Sequence, residues 1–149
     1  MPASTRFVVA IHVLVSLAIV RDKPMRSEDL AFSVNTNATV IRALLGRLMD
    51  AGLTTSQLGN GGGALLAKPA QQIRLLDVYR AVEDGEIFSS HRNGPNQACF
   101  VGGNIQEAML PVLENAKQAL ETELAAVTIA TIAAEVARLG KFTIPWNGC

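Results

Sequence analysis

The sequence predicts a mainly α-helical chain: a winged helix-turn-helix with a two-stranded β wing and a long C-terminal dimerisation helix. Three observations predict it. Residues 27–34 and 38–51 are two short helical segments joined by the turn Asn35-Thr36-Asn37. Residues 53–58 and 64–67 flank the run Gly59-Asn60-Gly61-Gly62-Gly63, the pattern of a glycine-tipped hairpin. Apolar residues then recur every three or four positions at Ile105, Met109, Val112, Ala116, Leu120, Leu124 and Val127, close to a coiled-coil seam. A second helix of that size fits a major groove, and the hairpin can reach the adjacent minor groove.

Each element has a local reason. A first helix spans residues 4–20, with Ser4 or Thr5 as N-cap. It ends at Arg21-Asp22-Lys23-Pro24, because proline disfavours helix in the residue before it. In the third helix Val40, Ile41, Leu44, Leu45, Leu48 and Met49 fall at helical spacing and are assigned to the core. That leaves Asn37, Thr39, Arg42, Ala43, Gly46 and Arg47 outward. Gly52 closes the helix, and Lys68-Pro69 closes the wing. Residues 73–82 form a short helix, or a turn followed by a helix, with Leu76, Val78, Tyr79 and Val82 apolar. Residues 84–103 are broken by Gly85, Gly94-Pro95 and Gly102-Gly103 and read as a loop. Pro111 lies in the last long helix, so either the regular part begins there or the helix is kinked. The organisation expected is therefore a DNA-binding domain over 1–83, an effector or linker loop over 84–103, dimerisation helices over 104–139 and a tail over 140–149.

Composition narrows the class. About half of the 149 residues are apolar and 5% aromatic, which suits a small aliphatic helical core. Net charge is zero, but residues 1–70 hold seven Lys/Arg against four Asp/Glu, whereas residues 71–149 hold six against nine. The basic half is the one with the helix-turn-helix. The run from Phe7 to Val20 is apolar but too short for a membrane span and is interrupted by His12 and Ser16. A cytoplasmic protein with no membrane contact is expected. Cys99 and Cys149 suggest no disulfide framework.

Candidate DNA contacts are Ser4, Thr5 and Arg6 at the first helix start, and Ser27, Thr36, Asn37, Thr39, Arg42 and Arg47 in the helix-turn-helix. Gln57 and Asn60 join them from the wing. Arg42 is read as a base-edge contact and Arg47 as a phosphate contact. Asn37 is either an N-cap, a base reader or both, since a helix start also attracts phosphate. Gly59 to Ala64 fits a loose GxGxxA pattern, but no long helix follows and Pro69 arrives at once, so a nucleotide site is rejected. Cys99 is either a thiol switch or an inert small hydrophobe in Ala98-Cys99-Phe100-Val101. His12 is assigned to the core. His91 and Cys99 are too few to hold a metal, so no metal or cofactor is expected. No catalytic pair stands out, and the chain is read as a non-enzyme.

The chain resembles the Rrf2 family of bacterial transcription regulators. The resemblance lies in Ser27-Glu28-Asp29-Leu30-Ala31, in Val40-Ile41-Arg42-Ala43-Leu44-Leu45 through Gly52-Leu53, and in Gly61-Gly62-Gly63. It continues through Leu66-Ala67-Lys68-Pro69, Ile73 to Val82 and Cys99 to Ile105. It implies a regulator that dimerises through the long helix, with Ile105, Met109, Val112, Leu120 and Leu124 at the interface. A two-fold dimer sets its two recognition helices about one helical turn apart, so double-stranded DNA with a pseudo-palindromic operator is the expected partner; the alternative reading is a winged-helix protein-interaction module with little or no DNA binding. Three departures stand out. Cluster-bearing relatives carry three cysteines in the loop, where this chain has Cys99 alone. Leu58 stands where an arginine commonly precedes the first wing glycine. Ala64 stands where an aromatic commonly follows the third.

Overall fold

The computed structural model describes residues 4–146. In chain order it contains α1 (Arg6–Val20), α2 (Ser27–Val34), α3 (Ala38–Asp50), β1 (Thr54–Gln57) and β2 (Gly63–Leu66). A 3-10 turn (Ala70–Gln72) precedes α4 (Leu75–Val82), α5 (Ile105–Ala126) and α6 (Ile129–Gly140). The winged helix-turn-helix with a long C-terminal helix is therefore the architecture observed. Cys149 and the end of the tail lie outside the described residues.

The core is built around α1. Ala10, Val13, Leu14 and Leu17 on this helix are at most 1% exposed. They pack with Leu30 of α2, Ile41 and Leu48 of α3, Val78 and Val82 of α4, and Ile129 and Ala133 of α6. Each such aliphatic side chain removed from water contributes roughly 1.5–3 kcal/mol, which fixes the four helices around this spine. α1 begins two residues later than expected. Thr5 adopts helical dihedrals without capping through its side chain, while Ser4 Oγ accepts the Arg6 backbone N–H at 3.2 Å.

α2 and α3 are joined by a left-handed Asn35, and Asn37 then caps α3 by accepting the Val40 N–H at 3.0 Å. Only part of the expected α3 core face is buried. Ile41, Leu44 and Leu48 point inward, but Val40 and Met49 are each 46% exposed. A stripe one helical step wide satisfies the neighbours, so the residues flanking it on either side stay wet. His12 is likewise not a core residue. It is exposed on α1, its Nε2 2.8 Å from Ser33 Oγ.

β1 and β2 pair antiparallel, Thr54 opposite Leu66 and Gln57 opposite Gly63. The wing is anchored to the body by a two-bond bridge in which Met25 N–H donates to Ala64 O and Ala64 N–H to Met25 O, at 3.0 and 2.8 Å. A Cβ at Gly63 would sit 2.4 Å from Met25 O, so the close backbone approach requires glycine there.

α5 runs unbroken through Pro111, so its regular part begins at Ile105. None of its residues is buried. A second bridge then ties its end to the body: Leu75 N–H donates to Val127 O and Ile129 N–H to Ile73 O, at 2.9 and 2.8 Å. α6 folds back so that Ile129 and Ala133 join the α1 core. Residues 104–139 are thus two helices in different settings, one with no buried residue and one packed into the core.

The surroundings of two glycines predict opposite signs for their replacement. Gly63→Ala forces Met25 away and is expected to cost about 1–3 kcal/mol. Gly46→Ala on α3 meets nothing within 4 Å and is expected to gain up to about 1 kcal/mol from helix propensity. Urea denaturation measures both, and a neutral Gly63→Ala would remove the 25–64 bridge as the anchor of the wing.

Candidate nucleic-acid interface

The exposed side of α3 is built by subtraction. Ile41, Leu44 and Leu48 commit one face to the core, and Asn37 fixes the first turn. Thr36, Asn37, Thr39 and Arg42 remain exposed at the turn and on the free face. The α3 N-terminus adds unpaired N–H groups and the positive end of the helix dipole, both suited to a phosphate oxygen. Ser27, the first residue of α2, is half-buried, and Gln57 and Asn60 are exposed on the wing. Leu58 beside them is 89% exposed and offers the wing tip no charge.

The three arginines differ from one another. Arg42 Nη2 lies 2.6 Å from Glu28 Oε1, with both side chains 57% exposed. Glu28 is held below the ordinary carboxylate range, first by its own backbone N–H and then by the charges of Arg42 and Arg26. Arg47 does not project outward as expected. Its guanidinium forks onto Asp84, Nη1 to Oδ1 at 3.0 Å and Nη2 to Oδ2 at 3.1 Å, and Nη1 also donates to Val82 O at 3.3 Å. Arg6 is drawn to the same place, 3.2 Å from Asp84 Oδ2 and 3.6 Å from Glu83 Oε2. The Arg47 hydrogen bonds hold the Asp84 carboxyl below its usual range, with Arg6 adding to the effect.

Asp84 therefore gathers two predicted phosphate contacts at the root of the 84–103 loop. Sequence reasoning missed both Asp84 and Glu28. They stand 37 and 14 residues from their partners, beyond any helical spacing rule. Glu28 lay within the motif read for the first helix of the pair, but nothing in it signalled a contact with Arg42.

The loop itself is made of turns, and Cys99 is exposed rather than packed as a small hydrophobe. Backbone N–H groups of Gly102 and then Val101 draw its thiol pKa below the ordinary value, because donors favour the thiolate. Gly102 allows the turn: a Cβ there would lie 2.2 Å from Asn96 O. The donor set does not fit an iron–sulfur cluster, which ordinarily takes four protein ligands. The loop supplies one thiolate, and among the described residues no three His, Cys, Asp or Glu side chains converge. On α5, Val112 is 66% exposed, Met109 and Leu120 are exposed, and Ile105 and Leu124 are half-buried. No helix among the described residues is long and apolar enough to cross a membrane.

The family model for Rrf2, described as an iron-dependent transcriptional regulator, matches residues 3–135. A candidate HTH-type transcriptional regulator of Bacillus subtilis strain 168, YwnA, is 41% identical over 127 residues. That alignment covers 85% of this chain and 92% of YwnA. A solved structure of a candidate DNA-binding protein superposes with a TM-score of 0.69 at 38% identity, covering 85% of this chain and 97% of the other. A candidate transcriptional regulator from Lactobacillus plantarum superposes at 0.75 with 27% identity, covering 91% and 92%. The helix-turn-helix, the wing and the extent of the match agree: the chain belongs to the Rrf2 family and is a DNA-binding transcriptional regulator, not an enzyme.

Proposed function

We propose that the protein is a cytoplasmic homodimeric repressor that binds a pseudo-palindromic operator and blocks access of polymerase. The observation that carries this reading is the exposed, capped start of α3, with Thr36, Asn37, Thr39 and Arg42 on a helix whose opposite face is buried. Residues 1–83 serve as the DNA-binding unit, 84–103 as an effector loop, and α5 as the dimer helix. A bare apolar stripe on a 22-residue helix supports pairing with a second copy. Two-fold pairing places the two copies of α3 about 34 Å apart, one turn of duplex.

In this reading Arg42 exchanges Glu28 for a guanine edge or a phosphate. Thr36, Asn37 and Thr39 contact the groove edge, Ser27 the backbone, and Gln57 and Asn60 the minor-groove side. Ser4, Thr5 and Arg6 approach the backbone from the start of α1. Arg6 and Arg47 reach phosphate only on leaving Asp84, so their share is smaller than that of Arg42. Cys99 is the redox switch: exposed, thiolate-prone and in the loop that leads into α5.

Three measurements test these assignments. Arg42→Ala is expected to weaken binding to the upstream duplex by about 1–3 kcal/mol while affinity falls steeply with salt; an unchanged affinity removes Arg42 as a reader. Leu120→Glu is expected to convert the dimer to monomer in sedimentation, whereas a wild-type monomer at micromolar concentration overturns the dimer itself. Peroxide is expected to change the DNA affinity of wild type and Cys149→Ser but not of Cys99→Ser, and an equal response in Cys99→Ser ends the switch.

A further inference from the structure

A cleft of about 800 Å³ runs along α1, with α2 and α6 contributing its walls. Val15 and Ile19 of α1, Phe32 of α2, Ile132 and Val136 of α6, and Trp146 supply apolar surface. The volume lies within the range of small-molecule sites, which are mostly apolar with a few convergent polar groups. Those groups are present here. His12 and Ser33 are paired at 2.8 Å, Ser16 donates to His12 O at 2.9 Å, and Lys23 and Asp29 also line the cleft.

The charges select the class of occupant. Asp29 is paired with Arg26 at 3.5 Å, and Lys23 has no ion-pair partner among the described residues. Partial desolvation lowers the His12 pKa and so favours the uncharged imidazole, and the cation lining the cleft without an ion-pair partner among the described residues is the Lys23 ammonium. We propose that this cleft binds a small, largely apolar organic monoanion, with its carboxylate at Lys23 and its body against α1, α2 and α6. Such a molecule touches the last turn of α2, just before the turn that presents α3, which places the site where an effector of a DNA-binding regulator would act.

The test needs no DNA and is independent of the operator reading. Trp146 is the sole tryptophan and lies in the wall, 40% exposed, so its fluorescence reports occupancy. Octanoate is expected to give a saturable change in the full-length protein, at about fivefold lower concentration than 1-octanol, the scale of one exposed ion pair. Lys23→Gln is expected to bring the two ligands to parity. Ser16→Phe, and independently Val136→Phe, fill the cleft and are expected to abolish the response with far-ultraviolet dichroism unchanged. The proposal is overturned if wild type shows neither a fluorescence change nor calorimetric heat, if octanoate and 1-octanol bind alike, or if both filled variants bind as wild type does. Loss of dimer in the filled variants, with no ligand bound by wild type, would assign the cleft to a contact between copies and also overturn it.

Discussion

The burial of α1 sets the geometry of everything attached to it. Its inner residues Ala10, Val13, Leu14 and Leu17 are almost fully enclosed, and enclosure of a fifteen-residue helix needs neighbours on several sides. α2 and α3 supply one side, α4 another, and the returning α6 a third. A truncation such as Leu14→Ala would open a cavity worth about 2–5 kcal/mol, comparable with the whole margin of a small domain. α3 is thus presented by a rigid body, and the position of its free face is inherited from packing on the opposite one.

Against that rigid frame the surface charges are cheap to rearrange. Exposed ion pairs of the Arg42–Glu28 kind are worth little in water, because solvent and salt screen them. A duplex offers a dense row of phosphates, with counterion release adding to each contact. In the proposed complex, exchange of Glu28 for phosphate is therefore easily driven. Arg47 is harder to divert, since its fork onto Asp84 is bidentate and is supplemented by Val82 O. The pairing of both Arg6 and Arg47 with Asp84 also means that the net excess of basic residues in the first half overstates the free positive charge, since part of it is matched within the molecule.

Much of the architecture was legible in the residues. Period and punctuation placed α2, α3, the wing and the long helix, because each is fixed by local rules: capping at Asn37, turn glycines at 59–63 and apolar spacing along α5. Burial was read less well. Val40, Met49 and His12 were assigned inward from pattern alone, but a helix face is only as buried as its neighbours are wide. Arg47 was lost for a related reason, since its partner belongs to a distant segment with no local signature. The cleft was invisible for the same cause: its walls come from residues 8–29, 32–33 and 132–146, and only the return of α6 brings them together.

That return also joins α5 to α3 through a continuous series of contacts. Backbone pairs 73–129 and 75–127 clamp the α5–α6 junction to the start of α4. The end of α4 runs directly into Glu83 and Asp84, which hold Arg6 of α1 and Arg47 of α3. Between these two attachments α4 is only eight residues long, with Leu76, Val78 and Val82 buried. A short helix packed on its inner face cannot absorb a rotation by bending, because close-packed interiors deform little. The path from α5 to the arginines therefore runs through backbone pairs at one end of α4 and side-chain ion pairs at the other. Of the two attachments the arginine cluster is the weaker, because its Asp84 pairs lie at the surface, where solvent and salt screen them.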